Sequence, residues 1–147
     1  MLNAVGALMP ALVLNPLARR FGEVPVHATS LALMAAGFAF VYLVGTSAIL
    51  LYIGMAIIGL GWGAIVSLPF AIFSQCVAPA RIGLYMGVFN LSVVLPQLAV
   101  SLGVGMLIER LPDKGSVFLV GAVSTALSAL AWMAVKRVPL AAAHAKS

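Results

Sequence analysis

The sequence predicts an all-α, polytopic membrane helix bundle with about five transmembrane helices. Three observations carry that expectation. Hydrophobic residues make up 64% of the 147-residue chain and charged residues only 7%, whereas a soluble domain carries about 25% charged residues. The apolar residues gather into long runs, and roughly 20 such residues cross about 30 Å of hydrocarbon. The basic residues sit singly or in pairs between those runs, as span ends require and as a nucleic-acid patch does not.

The membrane bundle is expected over residues 1–137, with a cytoplasmic tail at 138–147. The first run, 1–18, contains Pro10 and Pro16. Its positive charges, Arg19 and Arg20, follow it, whereas a signal peptide begins with them. The run is short for a span and reads as the remainder of a longer helix. A polar loop follows to about His27. The second span is expected at 26–45, and Gly45 to Ser47 makes a tight turn. The third is expected at 48–73, and the loop after it carries Pro79 and Arg81. The fourth covers 82–108, and the loop from Glu109 to Gly115 carries two acids and two bases. The fifth covers 116–135 and ends at Lys136 and Arg137.

Function is narrowed first by what the runs lack. No span interior is expected to hold Asp, Glu, Lys, Arg or His, the usual marks of proton relays and ion sites. His27 and His144 are expected as exposed loop residues. No serine has a partner base, so nothing points to a membrane protease or another enzyme. The single cysteine, Cys76, excludes an intrachain disulfide and a cysteine-cluster metal site. No metal or cofactor is expected.

Two glycine pairs, Gly59 with Gly63 and Gly83 with Gly87, have the spacing that lets helix backbones approach closely in lipid. They are candidates for packing and for a sliding or hinging contact, together with Pro69 and Pro96. Gly59 to Gly63 reads GLGWG, but it lies in an apolar run and lacks the strand of a nucleotide loop.

The fourth run is the most informative. At about 100° per residue, Gly83, Gly87, Asn90, Gln97, Ser101 and Gly105 share one side. Asn90, Gln97 and Ser101 fall within about 40° of one another, with Pro96 immediately before Gln97. A carboxamide at that depth needs a hydrogen-bond partner or water. Two readings remain open from spacing alone: hydrogen bonding between helices, and a polar stripe lining a substrate pathway. Ser67, near Pro69 in the third run, is a further pathway candidate. Ser124, Thr125 and Ser128 of the fifth run fit back-bonding or packing.

The segments SLPFAIFSQ (Ser67 to Gln75) and RIGLYMGVFNLSVVLPQLAVSLGVG (Arg81 to Gly105) resemble the last pair of long helices in sucrose- and maltose-type sugar–proton symporters. These form the glycoside–pentoside–hexuronide-related branch of the major facilitator superfamily. The run GxFNxxxxxPQ, here Gly87, Phe89, Asn90, Pro96 and Gln97, carries most of the resemblance. The first loop is similar to the superfamily's cytoplasmic motif G-x-L-A-D-R-x-G-R-R. Leu17, Ala18, Arg20 and Gly22 match it. Asn15, Arg19, Glu23 and Val24 depart from it, so its charges are partly exchanged.

The resemblance implies spans eight to twelve of a twelve-span transporter, the C-terminal half of a major-facilitator fold without its seventh helix. It implies that the full protein moves a disaccharide-like sugar, with protons, by alternating access. The partners implied are the bilayer, the absent N-terminal half, a small sugar and a proton, with no nucleic acid. The coupling acid would lie in the absent part. Two other readings stand beside this one: a small membrane scaffold or assembly subunit, and a truncated, non-functional transporter fragment.

Orientation follows from the loops. Arg19, Arg20, Arg81, Lys136, Arg137 and Lys146 fall on one side, and only Arg110 and Lys114 on the other. The positive-inside rule makes the six-residue side cytoplasmic, in a cell (inner) membrane, with the C-terminus inside. Single cysteines at Ser47 and Lys114, in a Cys76→Ala background, are therefore expected to react with a membrane-impermeant thiol reagent in intact cells. Labelling at Arg81 but not at Lys114 would reverse the assignment.

Overall fold

The computed structural model describes residues 13–110, 113 and 115–135. In hydrocarbon a backbone must satisfy its own polar groups, and an α-helix does so within one segment. Among the described residues five α-helices follow in order: α1 (Asn15–Phe21), α2 (Glu23–Val44), α3 (Ala48–Cys76), α4 (Ile82–Arg110) and α5 (Ser116–Met133). A 3-10 turn, Pro79–Arg81, joins α3 to α4. Among the described residues, four helices are long and apolar enough to cross a membrane, α2 to α5. The chain is an all-α membrane helix bundle.

Short local signals end and start these helices. Gly22 takes φ 92° and donates its N–H to the Ala18 carbonyl at 2.8 Å, which stops α1. A side chain at that φ would be strained, and the turn feeds directly into α2. At the other end of α2, Gly45 N–H donates to Val41 O at 3.0 Å. Ser47 then caps α3 by accepting from Leu50 N–H at 3.4 Å. Asp113 Oδ1 accepts from Gly115 N–H at 2.9 Å just before α5.

Helix α2 is the centre. It packs between α3 and α5, and both run antiparallel to it. The α2–α3 pairing keeps a constant register: Val26 packs with Ala64 and Leu68, and Met34 and Val41 pack with Ile58. On the other side, Phe38 lies 6.5 Å from Phe118 between ring centroids, and His27 lies 4.6 Å from Trp132. Large side chains such as Ile49 (71% exposed) and Tyr52 (76%) point outward, which suits a lipid-facing surface and not a water-facing one.

The sequence expectations are corrected in three places. First, α2 starts at Glu23 instead of Val26, so the expected loop to His27 is helical. Pro25 is tolerated because it falls in the first turn, where backbone N–H groups have no helical partner. His27 therefore lies inside a membrane-length helix and is only 2% exposed, which overturns both its loop assignment and the absence of histidine from span interiors. Second, α1 continues past Ala18 to Phe21 and places Arg19 and Arg20 in its last turn. Third, α3 and α4 run a few residues beyond their expected ends, to Cys76 and Arg110. Most of the expected first span, Pro112, Lys114, and everything from Lys136 on, including Arg137, His144, Lys146 and the tail, lie outside the described residues.

Close helix approach falls on glycines that spacing did not single out. A Cβ at Gly61 would lie 2.6 Å from Met34 Cβ and 2.8 Å from Ser30 O. One at Gly37 would lie 2.9 Å from Ile58 Cγ1, and one at Gly54 would collide with Val41 Cγ2. At Gly83, Gly87, Gly103 and Gly105 nothing lies within 4 Å. Of the other pair, Gly63 is buried and Gly59 half-buried.

This contrast gives opposite signs for one substitution. Gly→Ala in an open helix position gains roughly 1 kcal/mol from helix propensity. Overpacking costs about 1–3 kcal/mol, and it wins where the new atom meets backbone. Gly61→Ala is expected to lower the thermal unfolding temperature in detergent, and Gly103→Ala to hold or raise it. Equal shifts for the two would remove the glycine contact from the account.

Candidate functional site

Helix α4 carries the candidate site, and its surroundings differ from those of the other helices. None of its apolar membrane-length stretch is buried. It is tied to α3 by the Pro79–Arg81 turn and by an aromatic cluster. Phe89 lies 4.8 Å from Phe70 in an edge-to-face contact, and 4.8 Å from Phe73 in a stacked one. Such pairs contribute about 0.5–1.5 kcal/mol beyond their buried area. Asn90 directly follows this anchor.

Asn90, Gln97 and Ser101 are all exposed. Their spacing places them on one side of a continuous helix, spread over roughly 16 Å at 1.5 Å per residue. None of the three forms a side-chain hydrogen bond with another described residue. The nearby Ser92 behaves differently: its hydroxyl donates to the Phe89 carbonyl at 2.6 Å. Pro96 has no N–H, so the Ser92 carbonyl four residues earlier loses its helical donor. The middle of α4 thus presents two carboxamides, a hydroxyl and an uncommitted carbonyl.

Ser67 is not brought to this stripe. It is half-buried on α3 and donates to Gly63 O at 2.7 Å. Pro69, two residues on, likewise removes one rung from the α3 ladder. On α5, Thr125 donates to the carbonyls of Gly121, at 2.7 Å, and Ala122, at 3.2 Å.

The basic residues of the first loop lie at one end of the bundle. Arg19 and Arg20 are exposed, and the Arg20 guanidinium sits 5.3 Å from the centre of the Phe21 ring. Because α2 and α3 are antiparallel, Arg81 lies at the same end. Among the described residues, no group of three or more His, Cys, Asp or Glu could hold a metal ion.

Sequence reasoning passed over two features. One is the Phe70–Phe73–Phe89 cluster, whose members are simply apolar residues in apolar runs. The other is the contact between His27 and Trp132. A signal for the second existed: an acid at Glu23 with Pro25 just behind it is a helix-start pattern, and it would have put His27 inside a helix.

Over 96 residues the chain is 32% identical to the sucrose transport protein SUT3 of Oryza sativa subsp. indica. The same protein of Oryza sativa subsp. japonica matches equally. The alignment covers 59% of this chain and 19% of the relative. The chain thus spans about a fifth of the length of the curated relatives it matches. No protein-family model and no solved structure matches it.

Proposed function

We propose that this chain forms part of a secondary sugar transporter and that the Asn90–Gln97–Ser101 face of α4 lines the sugar pathway. The carrying observation is the uncovered polar stripe on an otherwise apolar membrane helix. Placing an unpaired amide in hydrocarbon costs roughly 2–7 kcal/mol, and α4 carries two. Facing lipid is therefore the losing arrangement. The stripe meets either water or the polar groups of another helix.

The similarity to a sucrose transport protein favours water. In a wet pathway, water satisfies each amide until a sugar hydroxyl replaces it. Carboxamides suit this task because each offers both a donor and an acceptor, as a sugar hydroxyl does. Pro96 and Pro69 weaken the ladders of the two helices joined by the Phe70–Phe73–Phe89 contact. In this reading α4 bends there as the pathway opens alternately to each side, and protons drive the cycle. The sugar is a disaccharide of the sucrose type. Helices beyond those described here cover the open side of α4 and complete the bundle.

Losing one hydrogen bond to a bound hydroxyl costs about 0.5–1.5 kcal/mol, or roughly three- to tenfold in affinity. In the complete transporter, Gln97→Leu and Asn90→Leu are each expected to raise the half-saturation concentration for sucrose uptake by that factor, with unchanged expression and thermal stability. Wild-type half-saturation combined with altered stability would instead make the stripe a helix–helix contact.

A further inference from the structure

His27 is the buried ionisable side chain among the described residues. Three helices meet at it. Val26, beside it on α2, packs with Ala64 and Leu68 of α3. The ring reaches the Ala64 backbone and meets Trp132 of α5 at 75°, with centroids 4.6 Å apart. Among the described residues, its Nδ1 has no hydrogen-bond partner. A cavity of about 350 Å³ opens nearby, with the apolar lining Val24, Pro25, Ala28, Met133 and Val135.

Among the described residues, the charged and titratable groups on the elements packed around the ring are few. Helix α5 has none between Ser116 and Met133, and α3 has only Tyr52 and Cys76, both exposed. On α1, Arg19 and Arg20 are exposed. On α2 itself, Glu23 lies one turn before His27, at the spacing that puts two side chains on one face. The neighbouring hydroxyls are committed: Thr29 Oγ1 donates to Pro25 O at 2.9 Å, and Ser30 Oγ to Val26 O at 2.8 Å. Among the described residues, the Ala64 backbone and the Trp132 indole are the groups that meet the ring.

We propose that His27 is a proton-binding site, with the Trp132 indole as the group that faces its charge. An unpaired imidazole nitrogen carries a free lone pair. A proton taken up from solvent forms an N–H bond at Nδ1, and the ring gains one positive charge with no electron transfer. Tryptophan is the best aromatic partner for a cation. This places a proton site within the chain itself, where the sequence expectation put the coupling group outside it. Its part in coupling rests on the transport reading above, whereas its titration does not.

The test reads Trp132 directly and involves no transport. The protein has two tryptophans, so Trp62→Phe leaves Trp132 as the sole reporter. Protonated imidazole in contact with indole quenches its emission. In lipid nanodiscs, Trp132 emission is expected to fall along a single-site curve as pH drops from about 8 to 5, where histidine titrates. His27→Gln is expected to abolish that curve while helical circular dichroism persists. A flat profile with His27 present, or the same curve in His27→Gln, overturns the proposal. Should His27→Gln lose its helices, ¹³C-labelled histidine in a His144→Gln chain answers the same question. The His27 resonance either moves with pH, as proposed, or stays fixed, which refutes it. Failure of sucrose uptake by the complete transporter, with the titration intact, would sink the transport reading alone.

Discussion

Within hydrocarbon, a polar group can be satisfied only by another protein group or by trapped water, and that constraint organises this molecule. It makes every membrane-length segment helical. It also governs the small polar side chains. Thr29, Ser30, Ser67, Ser74, Ser92 and Thr125 each donate to a carbonyl three or four residues back on their own helix. The helix ends obey the same demand through Gly22, Gly45, Ser47 and Asp113. Against that background two places stand out. One is the buried Nδ1 of His27, and the other is the uncovered amide face of α4. In a membrane helix, polarity left unsatisfied by its own segment points to function.

The helices divide into a tight part and a loose one. Glycines at 37, 54 and 61 remove the side chains that would otherwise hold α2 and α3 apart. Phe38 fills the opposite side of α2 against Phe118 and the bare surface of Gly121. Helix α4 has no such fit among the described residues. Its glycines face open space, and Phe89 is its main anchor. Helix α4 is attached at one aromatic cluster and one short turn, whereas α2 packs closely against both α3 and α5. That division suits a pathway wall that moves.

Much of the fold could be read from the sequence, because apolar run length and turn residues are local signals. The turn at Gly45 to Ser47, the loop at Pro79 and the start of α5 after Gly115 all lie where those signals put them. The start of α2 was hidden because Glu23, Pro25 and His27 look like loop composition, although each is compatible with a first helical turn. The glycine contacts were hidden for another reason. Gly54 and Gly61 stand seven residues apart, and their importance depends on Met34, Val41 and Ser30 across the interface. One helix's spacing does not reveal its partner's side chains. The polar stripe of α4 was legible as a stripe, because helical periodicity alone puts Asn90, Gln97 and Ser101 together. Its isolation from the other helices was not, since that is a property of packing.

The central claim is that this stripe meets water and sugar. Cysteines placed singly at Asn90, Gln97 and Ser101, with Leu98 and Leu102 as off-stripe controls, test it in a Cys76→Ala protein. The measurement is the rate of modification by a small water-soluble thiol reagent, with and without sucrose. The account predicts fast modification at the three stripe positions, slowed by sucrose, and little at the two leucine positions. Stripe positions as inert as the leucines, or modified at a rate indifferent to sucrose, would contradict it.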